Sequence, residues 1–129
     1  MGLDTSYDCW HGSYITFGWW RSLVFSAAYP EENIPEDAQR YEYLYRVDKW
    51  PSTDPRRKDP IMSLLLHSDC DGEIPVDELL PLADALEALL PKLVSHKGAR
   101  GEDWAQKRAE TFIRGLREAH AAGEPVDFH

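Results

Sequence analysis

The stretch HSDCDG, residues 67–72, brings together the side chains best able to do chemistry: His67, Asp69, Cys70 and Asp71, with Glu78 six residues beyond Gly72. Laid on a twelve-residue EF-hand loop starting at His67, it places Asp69 at position 3, Asp71 at 5, Gly72 at 6, Ile74 at 8 and Glu78 at 12. The departures from that calcium template are serious. His67 offers nitrogen where an oxygen ligand belongs, Pro75 takes the ninth position, and Pro81 comes early in the exit helix. Zinc is a second reading. Cys9 with His11, and His67 with Cys70, make two soft pairs, and a structural zinc takes four such ligands if the two loops meet. A metal-dependent hydrolase built on His67, Asp69 and Asp71 is a third. Cys70 as a nucleophile is disfavoured, because two flanking acids oppose thiolate formation and no glycine-rich oxyanion turn accompanies it. The plainest reading is a turn: Asp69 and Asp71 bond backbone amides, Gly72 supplies positive φ, and Cys70 packs as a small apolar residue.

A second constellation lies at residues 13–25. Tyr14, Gly18, Arg21 and Phe25 share one helical stripe, with Gly18 leaving a gap between a ring and a guanidinium, and Trp19 and Trp20 adjoin it. An aromatic face stacks a base, Arg grips an anion bidentately, and carboxylates accept from ribose hydroxyls or amines. Tyr14, Trp19, Arg21, His67, Asp69 and Asp71 are therefore the candidate ligand-binding residues. No residue is given a catalytic or metal-ligating role, and no cofactor is implied. Against this stands an ordinary alternative, in which the aromatics form core and Arg21 pairs with one of the 23 acids.

The elements that must position these residues read as follows. Residues 2–8 are a short extended segment. Ser13 is placed to cap a helix that Pro30 stops, with Phe17, Trp20, Val24 and Ala28 facing the core. Tyr41, Tyr43, Tyr45 and Val47 alternate with mostly polar residues, which predicts a strand, in competition with a helix using Tyr41, Leu44 and Tyr45. Three prolines make 50–60 a loop, and residues 61–66 fit either two helical turns or a buried strand. Pro81 begins a helix carrying Leu82, Leu86, Leu89 and Leu93, which Pro91 frays. A two-glycine turn spans 95–103. The clearest helix is last, capped by Asp103, ended by Gly123, and lined by Ala105, Ala109, Phe112, Ile113 and Leu116. The tail 124–129 is extended. The expected fold is α+β, a mainly helical single domain over 1–129 with a few short strands.

The net charge of −9 and the lack of a clustered Lys/Arg stripe exclude nucleic acid as the natural partner, and an anionic membrane with it. No apolar run reaches the length of a membrane span, and the first residues lack the basic and apolar regions of a signal peptide. The expectation is a cytoplasmic protein with reduced Cys9 and Cys70.

With GLDTSYDCWHGSYITFGWWR, HSDCDGEIP and TFIRGLREAHAAGEPVDFH in view, the sequence resembles a family of small proteins of bacteriophages and their bacterial hosts. The resemblance spans most of the chain and is weakest over 30–60. It implies a single-domain layout in the bacterial host cytoplasm and carries no established activity. By analogy with small phage proteins that blunt host defence, the leading expectation is a non-enzymatic small-molecule-binding protein that sequesters a nucleotide-derived signal. The alternatives are a protein-binding inhibitor or adaptor of a host protein, and the hydrolase on His67, Asp69 and Asp71. The partners this leaves are a nucleotide-like ligand, a host defence protein, or a second copy of the chain.

Overall fold

Near its start the chain turns back on itself. Gly2–Asp4 (β1) and His11–Ser13 (β2) pair antiparallel, with Gly2 opposite Ser13 and Asp4 opposite His11. Between them a 3-10 turn, Ser6–Asp8, holds Tyr7 and Asp8 at positive φ, 60° and 54°. Side-chain-bearing residues pay strain there, so neighbouring contacts must hold them. The Thr5 hydroxyl accepts the Trp10 amide at 3.0 Å, and the Tyr7 hydroxyl donates to Glu124. The computed structural model describes residues 2–35, 37–93 and 103–129.

Ser13 caps helix α1, Tyr14–Ala28, its hydroxyl accepting the Thr16 amide at 3.0 Å. Phe17, Trp20 and Val24 are fully buried as their spacing predicts, while Ala28 is half-buried. Arg21 and Phe25 are buried too, so α1 has two inward stripes rather than one. Around it are two aromatic clusters. Trp20 lies within 5.2 Å of both Trp10 and Phe112, and Phe25 sits 5.2 Å from Tyr29 and 6.0 Å from Trp50.

Helix α2, Glu42–Asp48, replaces the strand that alternation predicts. Period two would place Tyr43 and Tyr45 on one face, yet Tyr43 is 1% exposed and Tyr45 53%. Tyr43 and Val47, four apart, point inward instead. Glu42 and Arg46 pair at 2.9 Å across one turn, and Arg57 donates to the carbonyls of Val47 and Trp50 at the helix end. These local bonds favour the helix over an alternation carried by tyrosines alone.

The proline-rich segment stays irregular, apart from a 3-10 stretch at Pro55–Lys58 capped by Asp54. Residues 61–66 yield a one-turn helix, α3, Met62–Leu65. Glu73–Ile74 (β3) follows, then helix α4, Val76–Leu89. This helix begins five residues before Pro81, which lies inside it. Asp77 and Glu78 in its first turn favour the early start. Pro91 ends it in a 3-10 turn at Leu90–Lys92.

Helix α5, Trp104–Ala122, packs along α4 and buries Ala105, Ala109, Phe112, Ile113 and Leu116. Gly123, at φ 70°, closes it. Asp103 occupies the cap position, but its carboxylate pairs with Lys107 at 3.0 Å and accepts no helix amide. Most of the expected two-glycine turn lies outside the described residues. Val126–Asp127 (β4) pairs antiparallel with β3, and the tail continues onto the N-terminus through a Thr5–Phe128 bridge. Asp4 and His129 exchange two backbone bonds of 2.8 and 2.9 Å. The fold is thus mainly helical α+β, with the two chain ends and the 67–74 loop joined by short strands.

Candidate functional site

Arg21 and His67 meet, the guanidinium of the one against the backbone carbonyl of the other. Arg21 Nη1 donates to the carbonyl oxygens of His67 (2.6 Å) and Leu64 (3.3 Å), and its guanidinium lies 4.5 Å over the Phe17 ring. Tyr43 adds a bond from its hydroxyl to Leu65 O at 3.1 Å. Helix ends leave carbonyls short of donors, and beside the backbone amides these two side chains add donors to Leu64 and Leu65 at the end of α3 and to His67 just beyond it. Burial pulls the Arg21 pKa down, opposed by Tyr43 and Asp69. Its exposure of 7% and its backbone acceptors leave Nη1 committed to the fold.

The HSDCDG loop is a tight turn. The Ser68 hydroxyl accepts the amides of Cys70 (3.2 Å) and Asp71 (3.4 Å), so Ser68 takes the part the aspartates were expected to play. Gly72 at φ 85° supplies the positive φ, and a side chain there would rest on the His67 ring at 3.6 Å. That ring stacks on Phe128 with centroids 4.0 Å apart. Its Nδ1 faces Ser68 O at 2.8 Å and its Nε2 faces Glu73 O at 3.1 Å. With both nitrogens against carbonyls, His67 presents no free nitrogen to a metal or a substrate. Asp69, Cys70 and Asp71 are exposed.

Neither metal arrangement assembles. Cys9 is buried against α5, where an added Cβ on Gly115 would collide with its sulfur, whereas His11 is exposed beside Asp4 and Cys70 lies on the loop. Glu78, the twelfth position of the calcium register, accepts from Ser63 Oγ at 2.6 Å, and Ile74 is buried in β3. Among the described residues no group of three or more His, Cys, Asp or Glu side chains could hold a metal ion.

Tyr14 is half-buried against the core, while Trp19 faces outward. The gap expected at Gly18 is filled by Arg40, whose Cδ would lie 3.0 Å from a Cβ there. The six ligand-binding candidates are thus divided between Tyr14 against the core, Trp19 on the outer face of α1, Arg21 at the end of α3, and His67, Asp69 and Asp71 in the loop.

The structure does assemble a different surface. Ile15 and Trp19 lie one turn apart on the outer face of α1, and the Arg40 chain crosses Gly18 between them. Arg40 Cζ stands 5.5 Å over the Tyr41 ring, and Tyr41 meets Tyr45 edge to face at 6.0 Å. Leu44 completes an exposed stripe on α2. The sequence signal for it was the 41, 44, 45 helical spacing, which the tyrosine alternation masks. Elsewhere, an open recess of about 400 Å³ is lined by Lys58, Met62 and Asp77 among others, and an apolar groove of about 500 Å³ runs between α4 and α5 past Leu90 and Ile113.

Among the described residues no helix is long and apolar enough to cross a membrane. Comparison with protein-family models, curated proteins and solved structures found no match.

Proposed function

We propose that this chain is a non-catalytic protein-binding module, an inhibitor or adaptor acting through the α1–α2 face. The observation that carries the reading is the exposure of Ile15 and Trp19 on α1 and of Tyr41, Leu44 and Tyr45 at α2, with Arg40 lying against both Gly18 and the Tyr41 ring. Large apolar side chains clustered on a surface mark interaction sites, and Trp, Tyr and Arg are the usual anchors. A host defence protein is the target class in keeping with the phage resemblance. The small-molecule alternative loses Arg21 Nη1 as its anion clamp, and the recess by Lys58 and Asp77 is one place among the described residues where it could act.

Benzoylphenylalanine placed at Tyr45, irradiated in extract from the native cells, tests the reading. The expected result is one discrete heteromeric adduct that disappears on Trp19→Ser. An adduct pattern equal to that from a probe at Leu80, an exposed leucine on α4, refutes it.

A further inference from the structure

The 67–72 turn holds a chemical feature that neither the fold nor the α1–α2 face uses. Asp71–Gly72 is the one Asp-Gly step in the chain, and no Asn-Gly step occurs. Both residues are exposed. The Ser68 hydroxyl accepts the Asp71 amide at 3.4 Å, and the Gly72 carbonyl accepts the Phe128 amide at 2.9 Å. The β3–β4 register sets Gly72 opposite Phe128, where an extended residue would return that bond. Gly72, at φ 85°, does not, and among the described residues its amide has no hydrogen-bond partner. The Asp71 carboxylate has no hydrogen-bond or ion-pair partner among them either. Other aspartates are held, Asp54 by Arg56, Asp59 by Tyr29 and Asp84 by Arg117.

We propose that Asp71 is a site of covalent self-modification, isomerising to isoaspartate in the folded protein. The Gly72 nitrogen attacks Asp71 Cγ and closes a five-membered imide, while the amide proton and the carboxyl hydroxyl leave as water. A free N–H and a free carboxyl are what this step needs, and glycine puts no side chain in its path. Water then adds to either imide carbonyl. Addition at the former side-chain carbonyl restores aspartate. Addition at the former main-chain carbonyl gives isoaspartate, in which the backbone runs through Cβ and Cγ and an α-carboxylate stands free. The extra backbone carbon falls between the amide that Ser68 holds and the carbonyl that Phe128 holds, so the turn beside the His67 ring has to bulge. The site is separate from the α1–α2 surface, and it stands whether or not that surface binds a partner.

The full chain, folded and in parallel unfolded in urea, is aged at physiological temperature in mildly acidic buffer and then digested. Isoaspartate in the peptides is counted by methyl transfer from S-adenosylmethionine with a purified isoaspartyl methyltransferase, and electron-transfer fragmentation places it in the sequence. The folded chain should gather more isoaspartate at Asp71 than at all other aspartates together. Asp71→Glu, checked by circular dichroism for an intact fold, should remove it, because closure would then need a six-membered ring. Asp71→Asn should reach the same product faster, with loss of ammonia. If Asp71 reacts more than about tenfold slower in the folded chain than in the unfolded one, about 1.4 kcal/mol of added barrier, the turn protects the step and the proposal falls. Isoaspartate spread evenly over the aspartates, or an Asp71→Asn chain that keeps its amide, overturns it as well.

Discussion

Gly115 lies within α5, where alanine would ordinarily stabilise the helix by about 1 kcal/mol. The structure reverses that sign. A Cβ at Gly115 would stand 2.7 Å from the Tyr7 carbonyl oxygen and 3.1 Å from the Cys9 amide nitrogen, and would overlap the Cys9 sulfur. The sulfur can turn away, but the two backbone atoms cannot retreat alone. They belong to the positive-φ turn pinned by the Tyr7–Glu124 and Thr5–Trp10 bonds. Relief to ordinary contact needs a shift of roughly half an ångström or more in that turn or in α5. Overpacking costs about 1–3 kcal/mol, and contact with two backbone atoms puts this case in the upper part of that range, so the propensity gain offsets only part of it. Gly115→Ala should therefore lower stability by about 1–2 kcal/mol and Tm by about 3–8 °C for a chain of this size. Urea denaturation and thermal melting followed by circular dichroism measure both. Cys9→Ala in the same background should recover a fraction and not the whole, because the backbone contacts remain. A Gly115→Ala protein as stable as wild type, or more so, would refute the packing argument.

Two further expectations follow from the site. Arg21→Met keeps the bulk over Phe17 but strands the carbonyl of His67 and leaves that of Leu64 with the His67 amide alone, so stability should fall by about 1–3 kcal/mol in urea titration; an unchanged midpoint would show that Arg21 does not hold the end of α3. The two thiols should separate cleanly under Ellman's reagent at pH 8. Exposed Cys70 reacts in the native protein, whereas Cys9, whose pKa burial pushes up to about 12, reacts only after unfolding. Two equivalents released at the native rate would contradict the burial.

Much of the secondary structure was legible because it depends on neighbours in the chain. Ser13 before an apolar run, the 105–116 spacing and Gly123 are local signals, and each acts within a turn or two of helix. The interior stripe Phe17, Trp20, Val24 was readable for the same reason. Alternation at 41–47 misled because Tyr is both a strand former and an amphipathic helix residue. The choice fell to the Glu42–Arg46 pair and to Arg57 reaching back from ten residues on.

The functional surface was less legible. Sequence alone identified the polar, chemically capable residues and a positive-φ glycine in the 67–72 turn, since residue type and short spacing suffice for that. It could not say that Arg21 would be drawn 43 residues along to the end of α3, that His67 would lie on Phe128, or that Cys9 and Cys70 would stay apart. Those outcomes depend on which buried carbonyls lack donors and which rings fill which gaps, and both are properties of the packed whole. The same holds for the α1–α2 face. Tyr43 and Tyr45 are the same residue type two positions apart, and only tertiary packing decided that one is core and the other meets solvent.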